Sequence, residues 1–224
     1  MRVLVKIVLW LAGLGAVAVA TRWVFVARVR RLFASHPLRR IGDASDGQPG
    51  TVVGTIVDGE SFPAPLSGRR CVYAEIEVSF HVRGSKRPHT VAFDRRIPFS
   101  IEDDTGRTYV DPADAEVVCE ADHWVERGAG ERLSRRERAV IDRAGLTGAR
   151  ALQRGFRLRE HVLAVGERVA ISGTVVHELD PTPVAAAAER GYREGPPTRG
   201  RVVGTARAPL RITDVRQVTD AAPR

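Results

Sequence analysis

The sequence predicts a mainly β domain, a small barrel or sandwich with one or two short helices, preceded by one N-terminal transmembrane helix. Three observations predict this class: short alternating polar and apolar segments separated by glycine and proline, one capped helical segment, and an uncharged apolar stretch near the start. Hydrophobic residues make up 43% of the 224 residues and charged residues 28%. These values are typical of globular proteins and exclude a wholly disordered chain.

The apolar stretch, IVLWLAGLGAVAVAT, occupies residues 7–21. Because Lys6 can extend its side chain to the headgroups, the usable length approaches the roughly 20 residues that a bilayer requires. In the first interpretation this stretch stays in the protein as a single-pass anchor, residues 1–27. In the alternative, the small residues 18–20 form the cleavage site of a signal peptide, and cleavage after Ala20 leads to export. The sequence leaves both open and favours the anchor.

A basic cluster follows the apolar stretch and predicts the orientation of the anchor. Residues 1–40 contain eight basic and no acidic residues, which accounts for the whole formal charge of +8. Most of these charges lie downstream of the stretch, so the positive-inside rule predicts that the C-terminal body is cytoplasmic. We expect five residues to contact anionic lipid headgroups at the membrane surface: Arg28, Arg30, Arg31, Arg39 and Arg40.

The body of the chain is formally neutral, because its 27 basic residues match its 27 acidic ones. A nucleic-acid-binding surface requires a net basic face, so no nucleic-acid partner is expected. The predicted partners are the lipid bilayer and an unidentified protein, with no evident small-molecule substrate.

Beyond a basic and then polar linker at 28–50, alternating patterns predict a β-rich domain at 51–216, followed by a tail at 217–224. The clearest strand is 74–82, whose even-numbered residues are apolar. The turn-rich segment 83–89 and renewed alternation at Val91 and Phe93 predict a hairpin. Further strands are predicted at 51–57, 109–110, 117–118, 168–176, 201–205 and 210–215.

One helix interrupts the strands. Ser134 and Glu137 have the spacing of a capping box, apolar residues follow at 139–141 and 144, and Gly145 is a suitable stop signal. Residues 180–200, rich in proline, glycine and alanine, are predicted to form a long loop, in which a short helix is an alternative.

No catalytic, cofactor-binding or metal-binding residue is predicted. Cys71 and Cys119 are not joined to a histidine by any motif, and the six histidines show no metal-ligand spacing. The acidic residues between 102 and 116 do not have the spacing of an EF-hand loop, so we expect a solvated edge. Gly68 suits a turn that requires a positive φ, residues 103–106 form a turn between strands, and Gly166 ends one strand and begins the next, so all three are expected to serve the fold.

The order of these segments resembles the GIDE domain, also called the beside-a-membrane domain, of membrane-bound mitochondrial E3 ubiquitin ligases and prokaryotic relatives. The resemblance covers residues 51–215. It rests on Gly54, the APLSG turn at 64–68, Cys71-Val72-Tyr73, and the segments at 97–112, 159–173 and 209–214.

The resemblance implies a domain whose relatives act in ubiquitin transfer, but the zinc-binding RING finger that promotes transfer in them has no counterpart in these 224 residues, which contain two cysteines. The leading hypothesis is therefore a membrane-anchored, non-catalytic protein-interaction module. Two alternatives stay open: a component of an E3 ubiquitin ligase-like system whose RING is supplied in trans, and a barrel that binds single-stranded nucleic acid.

Overall fold

The computed structural model describes residues 20–57, 59–148, 150–179, 198–206 and 208–221. Most of the predicted transmembrane stretch, residues 7–19, lies outside these ranges, as does most of the predicted loop at 180–200. Within the described ranges, none of the helices combines the length and the apolar character needed to cross a membrane.

The described residues form thirteen strands and three α-helices, with a 3₁₀-helix at Arg150–Arg154. The strands are β1 (Leu38–Arg39), β2 (Pro49–Ile56), β3 (Phe62–Pro63), β4 (Arg70–Phe80), β5 (His89–Arg96), β6 (Phe99–Glu102), β7 (Arg107–Val110), β8 (Glu116–Val117), β9 (His123–Arg127), β10 (Phe156–Ala164), β11 (Arg168–Leu179), β12 (Thr198–Val203) and β13 (Arg211–Thr213). The helices are α1 (20–33), α2 (Arg135–Arg143) and α3 (Arg216–Thr219).

Five strands close into a barrel. The ring runs β2, β6, β7, β12, β11 and back to β2, with β7 and β12 parallel and the other neighbours antiparallel. Numbered within the barrel, the order is 1-2-3-5-4-1, which is the connectivity of the OB fold. β1 joins β2, while β13 and β8 extend the sheet beside β11. The closed ring leaves its five strands little free edge.

Apolar side chains fill the barrel. Val52, Ile101, Val110, Ile171 and Val202 are almost wholly inaccessible to water and belong to one buried cluster. Gly54, in β2, lies where two strands approach closely, because a Cβ there would come within 2.8 Å of the Glu102 carbonyl oxygen. The glycine therefore permits the contact between β2 and β6.

A second, antiparallel sheet is built from the segments inserted between barrel strands. β4 pairs with β10 over their full length, β10 pairs with β9, and β3 and β5 share the other edge of β4. α2 covers one face of this sheet: Val140 and Ile141 are buried in a cluster with Ile76, Val78 and Leu158. The molecule thus has two adjoining apolar cores, one inside the barrel and one under α2.

The capping box of α2 is present as predicted. The Ser134 hydroxyl accepts from the Glu137 N–H at 3.2 Å, and the Glu137 carboxylate accepts from the Ser134 N–H at 2.9 Å. The same carboxylate accepts from Arg127 of β9 at 2.6 Å. The cap therefore fixes the start of the helix and also ties it to the sheet below.

A fully buried carboxylate, Glu160 of β10, anchors the turn at 64–68. It has no exposed surface, and it accepts hydrogen bonds from the N–H groups of Leu66 at 2.6 Å and Ser67 at 2.9 Å. Arg136 of α2 donates to the Leu66 carbonyl at 2.9 Å. Gly68 ends the turn with a φ of +76°, as expected from the sequence, and a Cβ there would collide with the Arg136 guanidinium. The turn thereby connects β10 to α2.

The predicted mainly β barrel and the β4–β5 hairpin are confirmed. Several boundaries differ: the predicted strand at 201–205 is Thr198–Val203, so the end of the predicted loop is wrong, and the strand at 210–215 is Arg211–Thr213. The sequence analysis gave no bounds for β1, β3, β6, β9 or β10, although it expected strands on either side of the turn at 103–106 and of Gly166. In β10 a charged residue, Glu160, occupies an inward position, which breaks the alternation that would have indicated a strand.

We expect Glu160→Ala to lower the free energy of unfolding by about 3 kcal/mol, because two buried N–H groups lose a charged acceptor. Urea titration of the full chain in detergent micelles measures this change. Glu77→Ala is the matched control, since Glu77 lies on the opposite face of the same sheet, 4.0 Å from Arg159, and such a pair contributes less than about 1 kcal/mol. Equal losses in both variants would contradict the anchoring role of Glu160.

Candidate membrane-facing surface

The described part of α1 lies against the barrel. Val29 and Phe33, one helical turn apart, are buried in a cluster whose other buried members are Val53, Ala170, Val215 and Val218. This spacing places one apolar side of the helix on the barrel. The barrel therefore packs on a helix whose first described residues, 20–27, belong to the predicted anchor.

The start of α1 is apolar and exposed. Trp23 is 72% exposed and Val24 61% exposed, whereas Phe25 and Val26 turn toward the barrel cluster. Beside them, Arg22 forms an ion pair with Glu120 at 3.2 Å. An exposed tryptophan beside arginine is typical of residues at a membrane–water interface.

Three of the five predicted headgroup contacts lie on α1. Arg28, Arg30 and Arg31 are exposed, and none of them forms an ion pair with any residue that the structure describes. The structure therefore places three unneutralised cations within about 12 Å of Trp23 along the helix. Their contact with lipid stays a prediction.

The other two arginines occupy the segment between α1 and β2 and are engaged there. Arg39, in β1, donates to the Gln48 side chain at 3.2 Å and is partly buried. Arg40 forms an ion pair with Asp104 at 3.4 Å. Both therefore differ from the three arginines of α1 in having polar partners within the protein.

Beneath the end of α1 is a cavity of about 210 Å³, lined among others by Arg30, Phe33, His36, Thr51 and Val218. The Nδ1 atom of His36 lies 2.8 Å from the Ser172 hydroxyl of β11. This contact ties the segment after α1 to the barrel. Sequence reasoning missed it, because no local pattern relates two residues so distant in the chain.

Both cysteines are buried free thiols. The Cys71 thiol donates to the Phe62 carbonyl at 3.3 Å, and burial, together with the nearby Glu160 charge, raises its pKa to about 12. Burial, reinforced by Asp214 and Asp122, raises the pKa of Cys119 well above its usual value. The thiolate is the nucleophilic form of cysteine, so neither side chain is prepared for nucleophilic catalysis.

The acidic residues between 102 and 116 and the histidines do not form a site in the described part of the folded protein. Burial alone would raise the pKa of Asp103, but hydrogen bonds from Ile41, Thr105 and Gly106 lower it, so this carboxylate stabilises its own turn. His81, His89 and His123 are exposed. Across the described ranges, no three histidine, cysteine or acidic side chains come together in an arrangement suited to a metal ion.

The outer face of β6 and β7 carries one aromatic residue, Tyr109. OB folds bind oligonucleotides on this face, so the surroundings of Tyr109 bear on the nucleic-acid hypothesis. The Arg199 guanidinium lies 4.2 Å from the centre of the Tyr109 ring, and Glu178 accepts two hydrogen bonds from Arg199 at 2.6 and 2.8 Å. The Arg199 guanidinium, held by Glu178, therefore covers the Tyr109 ring face on which a base would stack.

A comparison with family models identifies the domain. The model named GIDE, described as an E3 ubiquitin ligase, matches residues 74–192, more than half of the chain. The chain belongs to the GIDE family. Comparisons with curated proteins and with solved structures gave no significant match.

The GIDE match begins within β4 and extends past β11. It contains β5, β9, β10 and α2, which with β4 form most of the second sheet and its covering helix. It also contains three of the five barrel strands, β6, β7 and β11. The shared part of the domain therefore includes the α2-covered core and much of the barrel, while α1 precedes it.

Three acidic side chains that lie close together, Asp122, Glu167 and Asp214, form a partly exposed acidic cluster. Asp214 accepts from the Glu120 N–H at 3.3 Å, and burial, together with the neighbouring carboxylates of Glu167 and Asp122, raises its pKa to about 7. Burial also raises the pKa of Glu167. Arg69 supplies positive charge at the edge of the cluster, 2.8 Å from Asp122 and 3.7 Å from Glu167.

Asp214 should make the GIDE domain less stable as the pH rises from about 4 to 7. Its pKa is higher in the folded than in the unfolded state, so over this range the folded protein binds more protons, and stability falls with pH. Asp214→Asn removes the titrating carboxyl group. We therefore expect the free energy of unfolding of the variant, minus that of wild type, to increase between pH 4 and 7 and then to level off. Urea titrations at several pH values measure this difference. The same difference at pH 4 and pH 8 would contradict the assignment.

Proposed function

We propose that this GIDE protein is a membrane-anchored, non-catalytic protein-interaction module, with its β domain on the cytoplasmic side of the membrane. The observation that carries the proposal is the attachment of α1 to the barrel through Val29 and Phe33. Because the described part of α1 begins within the apolar stretch at 7–21, an anchor there would hold the domain close to the bilayer.

The side chains at the start of α1 support this placement. Trp23 and Val24 would lie at the interface, and Arg28, Arg30 and Arg31 would follow at the level of the anionic headgroups. Arg39 and Arg40 already have polar partners in the protein. We therefore expect the three arginines of α1 to contribute more to lipid contact than the other two.

The buried polar groups support a non-catalytic role. Cys71 and Cys119 are buried thiols whose raised pKa values keep them protonated, and the Glu160 carboxylate accepts hydrogen bonds from two backbone N–H groups. Catalytic groups are usually matched in pKa to their task and accessible to substrate. These residues instead stabilise turns and cores.

We expect replacement of the five predicted headgroup contacts by glutamine to scramble the orientation of the chain. The reason is that positive charges within about 20 residues of a membrane segment determine its topology. A C-terminal tag and protease protection in membrane vesicles of known orientation measure the effect. The matched control removes five exposed arginines far from the anchor: Arg83, Arg87, Arg132, Arg138 and Arg154.

In the wild type and in the control, the tag should lie on the cytoplasmic face of an uncleaved chain. A tag on the outer face, or a chain shortened by about 20 residues, would establish export and sink the proposal. An unchanged orientation in the five-arginine variant would remove the charge-based reason for it.

A second candidate function follows from the description of the family model as an E3 ubiquitin ligase. In this alternative the chain is one component of a transfer system and a RING protein acts in trans. A RING holds zinc through several cysteine and histidine ligands, whereas this sequence has two cysteines, both buried.

We expect the purified chain to give no ubiquitin transfer with activating and conjugating enzymes alone, because its two cysteines are too few to build the zinc sites on which a RING depends. Discharge of ubiquitin from the conjugating enzyme measures this. A RING protein that co-purifies with the chain and transfers ubiquitin faster in its presence would favour the second candidate. Transfer by the chain alone would contradict the non-catalytic role.

A further inference from the structure

β5 (His89–Arg96) presents an open edge. In the ranges that the structure describes, it pairs with β4 alone. The backbone groups of β5 that face this edge can be identified by starting from β10. There the Glu160 carbonyl accepts a hydrogen bond from the Asp122 N–H, and the Val162 N–H donates to the Asp122 carboxylate. The even-numbered residues of β10 therefore point their backbone groups away from β4, and its odd-numbered residues point toward β4.

Along each strand, successive residues direct their backbone N–H and C=O groups to opposite neighbouring strands, so the arrangement in β10 determines that in β4 and then in β5. The odd-numbered residues of β4 bond to β10, so its even-numbered residues bond to β5. Their partners in β5 are Val91, Phe93 and Arg95. The residues between them, Thr90, Ala92 and Asp94, consequently direct their backbone N–H and C=O groups to the open edge. These groups can bond to an added strand.

The surroundings of this edge are strongly basic although the body of the chain is neutral. The hairpin from 81 to 96 contains five arginine or lysine residues and one acid, Asp94, which pairs with Arg96. Four exposed cations of the hairpin and one of α2 form no ion pair with any described residue: Arg83, Lys86, Arg87, Arg95 and Arg143. The edge therefore favours a partner with negative charge.

A groove adjoins the edge on the side of α2. The Arg143 guanidinium lies 4.9 Å from the centre of the Phe93 ring, and that of Arg95 lies 4.3 Å from the centre of the Phe62 ring. Between α2 and the turn at 64–68 is a cavity of about 490 Å³, lined by Pro65, Arg135, Arg136, Ala139, Val140 and Arg143. The groove thus combines an apolar floor with an arginine rim.

We propose that the open edge of β5 and the adjoining arginine-rimmed groove bind an extended acidic segment of a protein partner by strand addition. The proposal rests on the proposed function as an interaction module and specifies the chemistry of its partner. Backbone hydrogen bonds to Thr90, Ala92 and Asp94 would supply the sequence-independent part of the affinity. Every second side chain of the added strand would face α2, where acidic groups meet Arg95 and Arg143.

The charge of the edge gives selectivity. Charged side chains on an open edge oppose pairing with strands of the same charge, which prevents association between copies of the protein. The same cations attract a strand that carries carboxylates. Phe93 is partly buried beneath Arg143, so this ring is not free to stack on a base, and a peptide fits the edge better than a single-stranded nucleic acid.

The test uses the full chain in non-ionic detergent and a fluorescein-labelled eight-residue peptide in which valine and glutamate alternate. Fluorescence anisotropy measures binding. We expect Ala92→Pro to weaken binding at least about tenfold, because it removes an outward N–H at a position where an edge strand tolerates proline. Ala92→Thr keeps the N–H and should stay within about twofold of wild type.

A double variant at the edge and a control double variant elsewhere test whether binding requires the positive charges. We expect Arg95→Gln with Arg143→Gln to weaken binding at least about tenfold, and Arg154→Gln with Arg216→Gln, two exposed arginines elsewhere, to change it less than about twofold. Far-UV circular dichroism and thermal unfolding establish that each variant is folded. If Ala92→Pro does not fold, a peptide methylated on alternate backbone nitrogens probes strand addition on the wild type, and it should bind at least about tenfold more weakly than the unmodified peptide.

Several results would overturn the proposal. One is binding of the valine–glutamate peptide to Ala92→Pro as tightly as to wild type. The others are binding to wild type, as tightly as the valine–glutamate peptide, by the backbone-methylated peptide, by a peptide with four glutamates followed by four valines, or by a peptide in which valine and lysine alternate. Tight binding of an eight-nucleotide thymidine strand that is insensitive to Ala92→Pro would assign the surface to nucleic acid instead. The membrane anchor is measured separately by protease protection, so peptide binding to a chain that proves to be exported would contradict the anchor and leave the strand-addition site standing.

Discussion

The buried carboxylate of Glu160 is the constraint on which the second sheet depends. An ionised carboxylate without exposed surface is costly unless hydrogen bonds satisfy it, and here two backbone N–H groups of the turn at 64–68 do so. The turn cannot move away from β10 without leaving this charge unpaired. Since Arg136 also bonds to the turn, the position of α2 depends on the same contact. One carboxylate thereby couples a strand, a turn and a helix that are distant in the chain.

The surfaces proposed for membrane attachment and for partner recognition lie on different parts of the molecule. The barrel holds α1 through Val29 and Phe33, and with it the exposed arginines that follow the apolar stretch. The second sheet carries the open edge of β5 and the groove beside α2. A domain organised in this way can bind a membrane through one sheet and a partner through the other. The same separation allows the two activities to be tested independently.

The polar groups most suggestive of chemistry in the sequence are structural in the folded protein. Asp103 bonds to its own turn, Glu137 caps α2, and the two thiols are buried with raised pKa values. Asp214 and its acidic neighbours make the stability of the domain pH-dependent without forming a described metal site. Burial and hydrogen bonding, rather than residue type, decide what each of these groups can do.

The sequence by itself determined the features that depend on short-range pattern: the mainly β class, the hairpin around 83–89, the capping box of α2, the positive φ of Gly68, and the location of the basic cluster. Such features depend on residues a few positions apart. Only the tertiary structure decided the closure of the barrel, because β2 pairs with β11 more than a hundred residues away. It also gave the extent of β10, where Glu160 interrupts the apolar alternation and is tolerated only because a distant turn supplies its hydrogen bonds. The open edge of β5 likewise had no signal in the sequence, since an edge is defined by which strands are not beside it.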